Sequence, residues 1–448
     1  MLVDSFFYLI CIIFILISFS WILRIVFSYH WIKKSKDIIN VNHNRQIYII
    51  IPVLSEVKRI TSTVRYLLKV FNNYSNMSIN IVSTEKEYLI NPKGKNTIDI
   101  VKQLTKKHKK IVHFHYPHKD GKMAHQLNFA IKEILKKENV SKDALFVIYN
   151  ADSKPHKKTF DWVCSEKNKN YEVFQQYGSY FKNIKISKKG IIPLSAASWQ
   201  TRWSLGFEIY HALLQFLFKS EDSNNIIKDI LYPLNYCIGH GFFFTKNIFK
   251  ELGGFSEDTH NEDAIVGLEL SYLRKKIVPI PYFEEADSPD GIKGLFIQKS
   301  NWFFGPFDSF KYLRKIINKR GIKEKAKLFR LSIQSIKLFS HAIYWVFGPT
   351  FLTLLFIILI THFSLHKLLF FMITILSFLC VPNYMSWYIT QSRKLDKSIW
   401  VFLMNLIGSP FTYFLHGASA YKTIVDVILS KLTGRGIEKK KTPMLEEL

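Results

Sequence analysis

Apolar positions follow two rhythms along this chain. Residues 6–27 are apolar apart from Ser18, Ser20 and Arg24, long enough as a helix to cross a hydrocarbon core of about 30 Å. Residues 341–360 and 368–389 repeat that pattern near the other end, and the short joint between them predicts a membrane hairpin. A fourth apolar stretch, 399–415, is interrupted by Gly408, Ser409 and Pro410, which predicts a kinked or re-entrant element. Between these segments the rhythm shortens. Apolar runs at 46–53, 79–83, 110–115 and 144–149 read as strands, alternating with amphipathic helices at 59–70, 98–107 and 123–136. Such alternation predicts right-handed βαβ units, an α/β domain with a mostly parallel central sheet, and ligands beyond the carboxyl ends of its strands. Glu56, Glu85 and Asp152 each lie just past such an end.

Two further segments mix apolar and basic residues. Residues 311–335 read as one or two interfacial amphipathic helices around Gly321. Residues 194–218, with Trp199, Arg202, Trp203 and Phe207, fit either a second interfacial segment or an ordinary packing helix. The chain therefore divides into a transmembrane anchor at 1–32, the α/β domain at 45–310, interfacial helices at 311–338, a C-terminal transmembrane region at 339–430 and a basic tail at 431–448. The first span has neither a basic segment before it nor a small-residue cleavage site, so an uncleaved anchor is expected.

Charge adds an orientation. The 62 Lys and Arg residues outnumber 35 Asp and Glu, giving +27. Lysines gather where apolar segments end: Lys33, Lys34 and Lys36, then Lys394 and Lys397, then Lys439 to Lys441. This positive-inside distribution predicts a multi-pass protein of the inner membrane with its α/β domain in the cytosol. Membrane lipids are the expected partners of that charge, and no nucleic-acid-binding signature supports the other reading. Cys11, Cys164, Cys237 and Cys380 form no CxxC pair, so reduced or lipid-facing thiols are expected rather than zinc or disulfides.

Candidate chemistry lies in two carboxylate motifs. Asn150-Ala151-Asp152 follows the strand at 144–149, and Asn261-Glu262-Asp263 follows Gly239-His240-Gly241. One acid at a strand end plus a distant second acid suggests a metal–diphosphate site with a separate general base. A lone Asp after a strand also serves as a turn or cap. His113, His115, His118 and His125 suggest zinc less well than ordinary pocket histidines, since no cysteine joins them. Glu284, Glu285 and Asp287 read as a solvated acidic loop.

The order of motifs narrows this. Ile51-Pro52-Val53-Leu54-Ser55-Glu56, Asp120-Gly121-Lys122, Asn150-Ala151-Asp152, Gly239-His240-Gly241, Glu262-Asp263 and Gln298-Lys299-Ser300-Asn301-Trp302 succeed one another over about residues 46–310. In this the chain resembles the family 2 glycosyltransferases with a GT-A nucleotide-sugar-binding domain, cellulose and hyaluronan synthases among them. The resemblance implies that Pro52, Glu56 and Glu85 line a nucleoside pocket, with Lys122 near the diphosphate and Asn150 beside the nucleoside or ribose. It implies that Asp152 holds Mg or Mn, and that Asp263 is the general base, its loop oriented by Glu262. It places Gly239, His240 and Gly241 with Gln298, Lys299 and Trp302 on the acceptor and lid side. The implied donor is a nucleotide sugar, a UDP-sugar first, and the acceptor a polysaccharide or lipid-linked glycan, extended processively or by single transfers. Three departures stand out: Asn150 replaces the first Asp of D-x-D, Glu85 stands for the second-strand Asp, and Asn301 replaces the Arg of the last motif. They motivate a second reading, a glycan-binding membrane scaffold without activity. A transporter would need ionisable residues within the spans, which are nearly free of them.

Overall fold

The computed structural model describes residues 2–90, 96–119, 121–184, 190–218, 226–289, 291–391 and 398–434. Asp120, Lys394, Lys397 and the lysines of the tail lie outside the described residues.

Among the described residues there are nine strands: β1 (Ile47–Pro52), β2 (Met77–Thr84), β3 (Ile111–Tyr116), β4 (Leu145–Ile148), β5 (Val173–Gln175), β6 (Gly178–Ser179), β7 (Phe242–Thr245), β8 (Val278–Pro279) and β9 (Glu284–Glu285). Seven of them form one sheet in the order β3-β2-β1-β4-β7-β5-β8. The first four run parallel, as the βαβ rhythm predicts. β7 runs antiparallel to both β4 and β5, and β8 is parallel to β5. The result is a mostly parallel sheet within an α/β domain.

Continuous apolar runs suit these strands because both sheet faces are covered. Ile47, Ile49 and Ile51 pack with Val64, Leu67, Val101 and Leu104 of helices Ile60–Val70 and Thr97–Lys107 on one face. Tyr48 and Ile50 pack with Leu127, Ile131 and Ile134 of helix Met123–Lys137 on the other. Side chains alternate between faces with a period of two, so the strand register fixes which residues reach which core.

Among the described residues, four helical segments are long and apolar enough to cross a membrane: Leu2–Lys34, Lys325–Thr361, Leu365–Gln391 and Ile399–Thr433. Phe7, Cys11 and Phe14 of the first pack with Leu352, Leu355, Leu379 and Tyr413. Leu16, Phe19, Ile357 and Ile407 stay exposed on the outside, as lipid-facing positions do. Cys11 and Cys380 are fully buried inside this bundle, so the lipid-facing expectation for these thiols fails.

Two boundaries differ from the expected ones. The stretch from 399 is one continuous helix, Ser398–Thr433, with Pro410 inside it, not a re-entrant element. Gly408 lies against Ile191 and Ser195, and Gly417 against Pro349, so these glycines allow close helix approach. Residues 311–335 divide between helix Ser309–Arg320, ended by Gly321 at φ +58°, and the opening turns of the long helix Lys325–Thr361.

The segment at 194–218 is a buried packing element, formed by helix Ile191–Trp203, a π-turn at Ser204–Ile209 and helix Tyr210–Leu214. Its Arg202 is 2% exposed and donates to the Phe378 carbonyl at 2.6 Å, within the π-turn Leu376–Cys380. The guanidinium lies 4.8 Å from the Trp21 ring and 4.7 Å from that of Trp199. One side chain of the α/β domain thereby joins two apolar helices, Leu2–Lys34 and Leu365–Gln391, by packing and cation–π attraction. Arg202→Ala should lower stability by roughly 2–4 kcal/mol, while Arg202→Met, which refills the space without a charge, should lose less. Thermal unfolding in detergent checks this, and equal losses for both variants would contradict a packing role.

Candidate active site

The antiparallel pairing of β4 with β7 builds the site. Ile148 at the end of β4 lies opposite Phe242 at the start of β7. The segment after β4, residues 150–153, and the segment before β7, residues 239–241, therefore meet at one sheet edge. Gly241 fixes the junction: its N–H donates to the Ile148 carbonyl at 2.8 Å, and its carbonyl accepts from Gln176 N at 2.7 Å. Its φ is +62°, and a Cβ there would lie 2.5 Å from the Gln176 carbonyl oxygen, so glycine is required on both counts. Buried Gln175 braces the same turn, donating to the His240 carbonyl at 2.7 Å and accepting from Ile238 N at 3.2 Å.

Asp263 stands on the other side of this turn. Glu262 and Asp263 open helix Glu262–Tyr272, where the helix dipole favours carboxylates. A Cβ on Gly239 would lie 3.4 Å from Asp263 Oδ2 and 3.7 Å from Glu262 Oε1. Asp263 borders a recess with Met123, Leu127, Cys237 and Phe255 in its wall. Asn261, just before it, donates to the Asn301 and Trp302 carbonyls at 3.2 and 3.3 Å. The Gln298 to Trp302 motif, on helix Gly291–Phe307, is thus tied to the loop of the candidate base.

On the Asp152 side, a charged network reaches back to β1. Lys182 donates to the Asp152 carbonyl at 2.9 Å and lies 3.3 Å from Asp287. Asp287 is 3.9 Å from Arg59, and Arg59 is 4.0 Å from Glu56. Glu56 and Asp152 therefore border one charged cluster, with Pro52 at the end of the same strand β1. Burial pushes the Asp287 carboxyl above its ordinary value, against the pull of Lys182. Glu85 is partnered with His115 at 2.9 Å, beyond β2 and β3. Lys122 is exposed at the start of helix Met123–Lys137, its N–H donating to His125 Nδ1 at 3.2 Å.

The acidic segment at 284–287 is the clearest correction. Glu284 and Asp287 are 1% and 2% exposed, not solvated. Glu284 and Glu285 form β9, which pairs with β6, and Glu285 also bridges to Lys154. The pairing draws Glu284 under the site. Its Oε1 accepts from Ser153 Oγ at 3.0 Å and lies 2.6 Å from His240 Nδ1. Ser153 Oγ in turn accepts from Asn150 N at 3.1 Å. Burial would lower the His240 imidazolium, but the Glu284 charge, reinforced by Asp152 and Glu208, raises it to about 9.

Membrane-side residues complete the floor. Gln298 accepts from Gln200 at 2.6 Å, deep in the protein. Lys299 is 3% exposed, its ammonium 4.3 Å from the Trp302 ring, and burial lowers it to about 7. Trp302 itself is 37% exposed. Glu208, on the π-turn, is a residue the sequence pattern did not single out, although a lone acid within Leu205-Gly-Phe-Glu-Ile209 is a visible signal. Burial pushes its carboxyl up to about 7 against the Ser204 hydroxyl and the His240 cation. Among the described residues, no group of three or more His, Cys, Asp and Glu side chains makes an all-protein metal cage. An ion here would depend on Asp152 and on ligand oxygens.

Fold and site together define an α/β enzyme domain with two separated carboxylates at one sheet edge, mounted on apolar helices. Residues 219–415 match the family model described as glycosyl transferase family group 2, a match that includes Gly239-His240-Gly241, Glu262-Asp263 and Gln298 to Trp302. The family likeness covers this stretch, less than half of the chain. No curated protein sequence matches it. Among solved structures it is similar to the mannosyltransferase PcManGT from Pyrobaculum calidifontis in complex with GDP-Man and Mn2+. The identity is 13%, covering 96% of this chain and 100% of that one, with a TM-score of 0.47. It is also similar to residues 1–349 of S. aureus TarS in complex with UDP-GlcNAc, at 12% identity, 90% and 99% coverage and a TM-score of 0.40.

The Glu208 shift has a consequence for stability. Its folded value, about 7, exceeds the ordinary 4.5, so folding favours the protonated form. The stabilisation is complete below the ordinary value and is lost as pH rises through 7, a change of roughly 3 kcal/mol. Thermal unfolding from pH 4.5 to 8 should show this fall in the wild type and a flatter profile in Glu208→Gln. Parallel profiles would mean that Glu208 is charged in the folded protein.

Proposed function

We propose that this chain is a membrane-bound inverting glycosyltransferase that moves a sugar from a nucleotide-sugar donor to a polysaccharide or lipid-linked glycan acceptor. One observation carries the reading: the β4–β7 pairing holds the Asp152 loop and the Gly239-His240-Gly241 turn, which adjoins Asp263, at a single edge. Glycosyl transfer of this kind needs two separate devices. Negative charge on the departing diphosphate must be neutralised, and the attacking hydroxyl must lose a proton on the other face of the sugar.

In this reading Pro52, Glu56 and Glu85 border the nucleoside pocket beyond β1 and β2, Asn150 lies beside it, and Lys122 stands at its rim. Asp152 would hold a divalent cation, Mg or Mn. The site fits such a hard ion, for its protein donors are carboxylate oxygens and the nearby Lys182 and Arg59 charges are already set against Asp287. When bound, the ion supplies charge neutralisation to the leaving group. Asp263 accepts the proton of the acceptor hydroxyl, with Glu262 and Asn261 setting its loop. Gln298, Lys299 and Trp302 bound the acceptor side, next to the membrane helices. In this reading the chemistry takes place at the inner membrane, beside the four apolar helices, with the α/β domain in the cytosol.

Membranes containing the chain should incorporate radiolabel from one of a panel of UDP-, GDP- and dTDP-sugars when Mg or Mn is present. Asp152→Ala and Asp263→Asn should each reduce incorporation by at least a hundredfold. Product size would distinguish polymer from single transfer. Undiminished incorporation in both variants would refute the assignment.

A further inference from the structure

We propose that His240, held by Glu284, is a catalytic hydrogen-bond donor to the departing diphosphate, and so belongs to the donor side of the site instead of the acceptor side. The inference rests on the glycosyltransferase reading above and assigns a residue within it.

His240 is tied in place through both its ring and its backbone. Its Nδ1 faces Glu284 Oε1 at 2.6 Å, and that same oxygen accepts from Ser153, the residue after Asp152. Ser153 also accepts from Asn150 N, so imidazole, carboxylate and the loop of the candidate metal ligand form one linked chain. The backbone of His240 is equally constrained, by Gln175 at its carbonyl and by Gly241 bonded to the end of β4. With Nδ1 on Glu284, the second ring nitrogen, Nε2, hydrogen-bonds to no described residue. The side chain keeps 14% exposure, so it is not sealed from solvent.

A carboxylate behind one ring nitrogen fixes the tautomer and supports positive charge on the ring, the arrangement by which a histidine serves as an oriented donor. The raised His240 value agrees with that state. The site also needs such a donor. Asn301 stands where the resembling synthases carry an Arg able to clamp a phosphate. Other cations are otherwise engaged: Lys182 and Arg59 face Asp287, and Lys299 lies over Trp302. His240 reaches the Asp152 loop through the Glu284 and Ser153 side chains.

The step balances as follows. The acceptor oxygen forms its bond to the anomeric carbon while the bond from that carbon to the phosphate oxygen breaks. The bonding electron pair leaves with the nucleoside diphosphate, and the hydroxyl proton passes to Asp263. His240 keeps both ring protons throughout and donates Nε2–H to a phosphate oxygen of the leaving group, where negative charge grows.

Calorimetric titration of the detergent-solubilised full chain, with Mn2+ present, separates the possibilities. The probes are UDP, GDP and dTDP, each compared with its monophosphate. The wild type should bind one diphosphate more tightly than the matching monophosphate. His240→Gln should weaken that diphosphate by tenfold or more and leave the monophosphate unchanged, which also shows that the nucleoside pocket remains folded. Glu284→Gln should act in the same direction with a smaller loss. An undiminished diphosphate preference in both variants would overturn the assignment while leaving the function intact, as would equal weakening of diphosphate and monophosphate. Failure of the wild type to bind any of these nucleotides would instead remove the glycosyltransferase reading, and this inference with it.

Discussion

The site depends on one pairing, that of β4 with β7. Parallel strands β1 to β4 all deliver their carboxyl ends to the same edge, but a fifth parallel strand would have delivered only another such end. Because β7 is antiparallel, its beginning lies beside the end of β4. The segment that precedes β7 is therefore brought against Asp152, and with it the turn that adjoins Asp263. Gly241 allows this by taking a left-handed conformation against the Gln176 carbonyl, where any side chain would collide. The segments carrying two carboxylates 111 positions apart in sequence (263 less 152) are thus brought to one sheet edge.

A second constraint comes from the apolar helices. The α/β domain meets them through buried segments, not through a flexible tether. Helix Ile191–Trp203 inserts Arg202 among Trp21, Trp199 and Phe378, and helix Gly291–Phe307 packs Phe303 against Ala342 and Ala420. That second helix also carries Gln298 and Lys299. The floor of the cleft and the docking surface of the bundle are consequently parts of the same elements. Glu208, Gln298 and Lys299, on or next to these elements, are polar groups buried beside the apolar helices.

Much of this architecture was legible in the sequence. Runs such as Ile47 to Ile51, apolar at every position, mark strands covered on both faces, and the amphipathic stretches between them mark the covering helices. The motif residues Asp152, Asp263 and Gln298 were visible because their spacing resembles a known family. What escaped has a common cause. Strands of two or three residues, such as β6, β8 and β9, are too short to show a period, so the acidic segment at 284–287 looked like a solvated loop. Its burial follows from pairing with Gly178 and Lys154 and from the His240 charge, all distant in sequence. Pro410 likewise suggested a break, yet a proline is accommodated where neighbouring helices pack closely around the chain.

The account makes Asp152 and Asp263 a leaving-group carboxylate and an acceptor-side base in a single displacement, with no covalent sugar intermediate. The anomeric configuration of the first product formed is the most direct test. Proton NMR of the product from an α-linked nucleotide sugar should show a β-linkage, the outcome of one attack on the face opposite the diphosphate. An α-linked product would contradict the division of labour between the two carboxylates.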